Sequence, residues 1–85
     1  MRREAVDSDA IRSIGYNPAR RVQQVQFHSS AIYDYLDVPG DVHLEVMQAD
    51  SVGEAFSRCV RNAGFEYRLV REPGPTPERA EAGGT

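Results

Sequence analysis

The stretch Val22-Gln23-Gln24-Val25-Gln26-Phe27-His28-Ser29-Ser30-Ala31-Ile32-Tyr33-Asp34-Tyr35-Leu36-Asp37-Val38-Pro39 decides the fold. Two runs rich in β-branched and aromatic residues flank a short polar segment, His28-Ser29-Ser30-Ala31, with the composition of a turn. Such runs suit a pleated, half-buried surface, so an antiparallel pair is expected over residues 22–28 and 32–38. Upstream, residues 10–16 mix apolar and polar positions and lead into Asn17-Pro18-Ala19-Arg20, where Pro18 supplies the fixed φ of a type I turn. That makes three strands in a meander. Gly15 inside the first strand signals a bulge or the close approach of another backbone.

After Pro39 the period changes. Val42, Val46 and Ala49 fall at i, i+4 and i+7, with Met47 beside them and Asp41 in the first turn, which the helix dipole favours. Ser51-Val52-Gly53-Glu54 then has the form of a capping box and opens a second helix. Its stripe is Val52, Ala55, Phe56, Cys59, Val60 and Ala63, and Gly64 stands where a left-handed residue would end it. Residues 65–70 alternate, with Phe65, Tyr67 and Leu69 expected inward on a final strand. The predicted class is α+β: a three-stranded antiparallel meander, two helices and a final strand, in the order βββααβ.

The 85 residues leave room for one small domain. Residues 1–5 read as a flexible head, 6–71 as the folded domain, and 72–85, rich in Pro, Gly and Glu, as a disordered tail without side chains to bury. The prolines of that tail would also suit an aromatic groove on a partner. No apolar run approaches the roughly 18 residues of a membrane span, and no apolar stretch follows Arg2 and Arg3, so a cytoplasmic location without membrane contact is expected. The single cysteine, Cys59, excludes an internal disulfide. A core this small would gain from a homodimer.

Chemistry is sparse. His28, His43 and Cys59 are too far apart in sequence for metal-ligand spacing, and the glycines are scattered singly rather than forming a phosphate cradle. His28 reads as a turn residue and His43 as a helix-surface residue. Cys59 falls inside the helix stripe, where a thiol is inert, and Ser29 and Ser30 lack a nucleophile-elbow context. No enzyme, metal or cofactor is expected.

The surface remains. The net charge is −3, and all ten basic residues are arginine. Arg58 and Arg61 stand one helical turn apart and could converge with Arg68 or Arg71; alternatively Arg58 pairs with Glu54 at i,i+4. Tyr33 and Tyr35 admit two registers. With Phe27 opposite Ile32 they face outward beside Gln24 and Gln26, as a stacking platform for bases. Slipped by one residue, they join Val25 and Phe27 in the core, the choice favoured by the weight of aromatics in small cores.

The string Ile11-Arg12-Ser13-Ile14-Gly15-Tyr16-Asn17-Pro18, the Tyr33-x-Tyr35 pair followed by Val38-Pro39, and Ser51-x-Gly53-x-x-Phe56 ending in Val60-Arg61 and Tyr67 together resemble the KTSC domain, over about residues 5–70. That family is named for the C-terminus of some lysyl-tRNA synthetases and also occurs as short free-standing bacterial and phage proteins. The resemblance implies a module of unknown function with a suggested role in RNA binding; Tyr33, Tyr35 and Arg61 occupy the matching positions. Against the family's pattern, Asp34 replaces a residue that is often basic, Val52 an often-found Lys, Gln23 an aliphatic and Ser57 an Asn. No synthetase catalytic domain is present, so no aminoacylation is implied. Two functions are therefore expected: a non-catalytic module acting through protein–protein interaction, or an RNA-binding module contacting RNA through Tyr33, Tyr35, Arg58, Arg61 and Arg68.

Overall fold

The fold is that of a computed structural model, which describes residues 2–73. Five strands form one antiparallel sheet in sequence order: β1 (Arg3–Ala5), β2 (Ile11–Asn17), β3 (Val22–Phe27), β4 (Ile32–Tyr35) and β5 (Tyr67–Arg71). Between β4 and β5 the chain forms α1 (Gly40–Gln48) and α2 (Val52–Phe56), the latter continuing into a π-helical turn, Ser57–Arg61. The α+β class stands, and the strand count rises by one. Arg3–Ala5, read as a flexible head, pairs with β2 as the first strand, in the register Glu4↔Ile14. Gly15 is the reason it fits: a Cβ there would collide with the Arg2 carbonyl and the Arg3 side chain. The sheet's register shifts lie instead between Ile11 and Ser13 and between Ile32 and Tyr33.

Val25 pairs with Tyr33 and Gln23 with Tyr35, so the second of the two tyrosine registers is the one formed. Tyr33 and Tyr35 face the helices, in line with Ile14, Val25 and Phe27. The core is Ile11, Ile14, Val25, Tyr35 and Val38 from the sheet side against Val46, Ala55, Phe56 and Val60 from the helices. Phe56 meets Tyr35 edge-on at 5.2 Å between ring centroids. β4 ends at Tyr35, three residues before the expected boundary, because Asp37 takes a left-handed φ of 59° that a strand cannot continue through.

Ser51 caps α2 as expected, its Oγ accepting from the Glu54 N–H at 3.3 Å. The α-helix lasts only to Phe56, however, and then widens: the Asn62 N–H donates to the Ser57 carbonyl at 2.9 Å, an i→i+5 bond. Gly64, at φ 94°, takes the left-handed conformation expected of it. Cys59 is half-buried against the core.

The sheet face away from the helices carries a polar chain across all five strands. Arg3 donates to Ser13 and Gln24, Ser13 to Gln26, Gln24 to Asp34 at 2.9 Å, and Arg68 to Asp34 at 3.2 Å. Asp34, only 8 % exposed, thus receives two donors, one of them charged. This accounts for an acidic residue between the two tyrosines. No helix among the described residues is long and apolar enough to cross a membrane.

Candidate binding site at an open sheet edge

The two edges of the sheet differ. β1 is three residues long and carries Arg3 and Glu4, the short and charged form that discourages further pairing. β5 is five residues long, exposed throughout, and free of proline. Its Tyr67, Leu69 and Val70 are 63, 43 and 48 % exposed. The sequence pattern placed Tyr67 and Leu69 inward. Their side is the helical one, opposite Tyr35 and Tyr33, but the helices do not reach far enough to cover them. Only Phe65 packs partly against the core.

The outward backbone of β5 follows from one hydrogen bond. The Leu36 N–H donates to the Glu66 carbonyl at 2.8 Å, so Glu66 and Arg68 turn their peptide groups toward β4. By the alternation of an antiparallel ladder, Tyr67 and Leu69 turn theirs outward, where no strand among the described residues receives them.

Beside this edge lies a cleft of about 640 Å³ between β4, β5 and the end of the π-helical turn. Phe27, Tyr33, Tyr35 and Tyr67 form its walls, and Arg61, Asn62, His28 and one acid, Asp9, stand at its polar side. The rings touch in sequence: Phe27 to Tyr33 at 5.9 Å, Tyr33 to Tyr67 at 5.6 Å and Tyr35 to Tyr67 at 5.6 Å. Burial pushes the Tyr35 phenol above its ordinary value, while the Arg61 cation pulls it down and Tyr33 and Tyr67 add to the rise. Tyr35 therefore stays protonated at neutral pH and acts as an O–H donor. Pro73, the last described residue, reaches the cleft. The tail read over residues 72–85 lies, from residue 74 on, outside the described residues.

The five residues singled out from sequence do not share one surface. Tyr33, Tyr35 and Arg61 meet in the cleft. Arg58 lies 3.8 Å from Glu45 of α1, both side chains being well exposed, rather than pairing with Glu54. Arg68 lies on the opposite face of the sheet, held by Asp34. The outward stacking platform is not formed, because the pairing of Val25 with Tyr33 turns both rings to the helical side.

His43 is not a plain surface residue. It is half-buried, stacks on Tyr16 at 4.4 Å with the rings 11° apart, and shares a 2.9 Å hydrogen bond through Nδ1 with Gln23 Nε2. Burial lowers its pKa, an effect partly countered by Glu4. Gln23 is fully buried, and its Oε1 has no partner among the described residues. Among the described residues, no group of three or more His, Cys, Asp or Glu side chains is placed to hold a metal ion.

Sheet, inserted helix pair and lateral cleft define a small α+β module with an exposed edge strand, β5. The chain belongs to the KTSC domain family, whose sequence model matches residues 7–65. The crystal structure of a KTSC domain protein from Yersinia pestis superimposes with a TM-score of 0.75 at 38 % identity, covering 81 % of this chain and 96 % of that one. An uncharacterized protein of Stutzerimonas stutzeri is 36 % identical over 67 residues, spanning 79 % of this chain and 94 % of its own length. A protein of Tsukamurella paurometabola is 33 % identical over 58 residues, 68 % of this chain and 87 % of its own.

Proposed function

We propose that this KTSC domain is a non-catalytic binding module that acts through protein–protein interaction, taking an extended segment of another protein as a sixth strand on β5. The observation that carries this reading is the edge itself: five exposed residues with outward peptide groups at Tyr67 and Leu69 and three exposed apolar side chains. Main-chain bonds to such an edge give affinity, and the side chains of the added strand that fall on the helical side reach the cleft. The opposite face contributes little, since its polar groups already satisfy one another.

RNA is the weaker reading. A polyanion is held by several cations at once, and only one of Arg58, Arg61 and Arg68 stands beside the tyrosines. The net charge of −3 does not help.

The test is site-specific photo-cross-linking in the native cytoplasm, with a benzophenone amino acid at Val70 and, as a control, at the exposed Leu44 of α1. The expected result is a discrete protein adduct from position 70 alone, lost when Leu69→Pro removes an outward N–H; proline is tolerated at an edge where that N–H faces solvent. Leu69→Asp serves as a second variant should the proline disturb the strand. An adduct untouched by both substitutions, or one removed by ribonuclease, would refute the reading. An adduct with the chain itself would identify the partner strand as β5 of a second copy.

A further inference from the structure

Tyr35 carries a group that the fold leaves unused. The residue is 5 % exposed, yet its hydroxyl has no hydrogen-bond partner among the described residues. It is not sealed in either, for among the described residues the buried side-chain atom left without a partner is Gln23 Oε1 alone. The phenol opens into the cleft that its ring helps to line. Tyr16 offers the contrast: its hydroxyl donates to the Val38 carbonyl at 2.6 Å. A buried tyrosine ordinarily finds such a partner within the fold, so an unpartnered O–H aimed into a cleft is a donor awaiting an acceptor.

A second group points to the same acceptor. Arg61 lines the cleft, its charge acts on the Tyr35 phenol, and it makes no ion pair among the described residues. The widened turn that follows α2 bears Arg61. A neutral O–H and a guanidinium converging over aromatic walls match a carboxylate attached to an apolar stem: the head takes the charge-assisted hydrogen bonds and the stem lies against the rings.

We infer that the cleft is a receptor for a carboxylate side chain, Asp or Glu, with Tyr35 Oη and the Arg61 guanidinium holding the carboxylate and Tyr33 and Tyr67 flanking its stem. This rests on the strand-addition reading, since a residue of the added strand opposite Tyr67 or Leu69 projects to the cleft side of the sheet. An extended segment bearing one carboxylate fits better than a nucleic acid, because the cleft presents a single arginine, with Asp9 also on its lining, and lies beside a backbone edge that only a polypeptide can pair with.

The test uses 3-phenylpropionate as the probe and its neutral amide, 3-phenylpropanamide, as the control, each titrated into the full chain. Tyrosine ring shifts and the Arg61 side-chain ¹⁵N signal report binding. The acid is expected to bind about fivefold or more tightly than the amide, as a charge-assisted bond outweighs a neutral one, with shifts centred on Tyr35, Tyr67 and Arg61. Arg61→Gln and Tyr35→Phe should each erase the preference while leaving weak aromatic binding; the phenylalanine retains ring and burial. Equal binding of acid and amide, or shifts away from the cleft, overturns the proposal, as does tighter binding of a uridine pentanucleotide at the same residues. The two readings separate cleanly. A β5 adduct that persists undiminished in Arg61→Gln leaves strand addition standing and removes the carboxylate receptor. Acid-selective binding without any β5 adduct does the reverse.

Discussion

Replacing Gln23 by methionine should stabilise the protein. Gln23 is fully buried, and its Oε1 meets no donor among the described residues, so the fold carries a desolvated acceptor that costs about 1–3 kcal/mol. The same side chain gains one bond, Nε2 to His43 Nδ1 at 2.9 Å, whose net worth is about 1 kcal/mol. Methionine keeps the unbranched shape and removes both polar atoms. His43 is only half-buried, so water can take the place of the lost donor on its ring. Removing a penalty of about 2 kcal/mol and a bond of about 1 kcal/mol leaves a gain of about 1 kcal/mol. For a domain of this size that gain raises the melting temperature by about 4–8 °C. Thermal and urea unfolding followed by far-UV circular dichroism measures it, with the Tyr16 ring shift confirming that the stack on His43 persists. A loss of about 1 kcal/mol or more would contradict this, for it would mean that Oε1 is satisfied by a bound water and that Gln23 organises this corner of the core.

Three further outcomes follow from the same structure. Gly15→Val should push β1 off the sheet, because its side chain would occupy the place of the Arg2 backbone. The expected cost is about 1–3 kcal/mol in urea unfolding, and deleting residues 1–5 from the variant should then cost nothing more; an unchanged midpoint would contradict the pairing of Arg3 with Gly15. Asp34→Ala should cost about 1.5–3 kcal/mol by removing the acceptor shared by Gln24 and Arg68, whereas a change within 0.5 kcal/mol would reduce the polar chain to surface decoration. For His43, burial holds the folded pKa below the ordinary 6.5, so the unfolded chain binds the more protons as pH falls. This contribution is complete above pH 6.5 and is lost as pH drops through that value toward the folded pKa; His43→Gln should flatten that part of the stability profile, and identical profiles would count against it.

Much of the architecture was readable because it is local. Ser51-x-x-Glu54, Gly64 and the change of period at Pro39 are signals confined to a few neighbouring residues. Gly64 and the helix after Pro39 are met in the structure, and of the capping box the Ser51 cap forms without the return bond from the Glu54 carboxylate among the described residues. The tyrosine register was a two-way choice settled by pairing with Val25, a contact that no local pattern encodes. β1 escaped because three residues bearing two charges carry no strand signature; the trace it left was Gly15, readable as a close backbone approach without saying whose. The π-helical turn has no sequence rule, since Ser57–Arg61 continues the apolar stripe of an ordinary helix. The cleft needed tertiary structure altogether. It exists because the helices pack on β2, β3 and Tyr35 of β4 and leave β5 exposed, so the alternation that placed Tyr67 and Leu69 inward named the correct face but not its exposure. Gln23, read as a departure from an aliphatic position, proved to be buried nonetheless.

Hydrogen exchange at single amides tests the open edge most directly. In the free chain, Arg68 should exchange slowly and Tyr67 and Leu69 rapidly, reflecting peptide groups turned toward β4 and outward respectively. With the cross-linked partner purified and added back, Tyr67 and Leu69 should become slow while Arg68 changes little. Tyr67 and Leu69 amides that stay fast in the saturated complex, with protection appearing on α1 or the opposite sheet face, would contradict strand addition at β5.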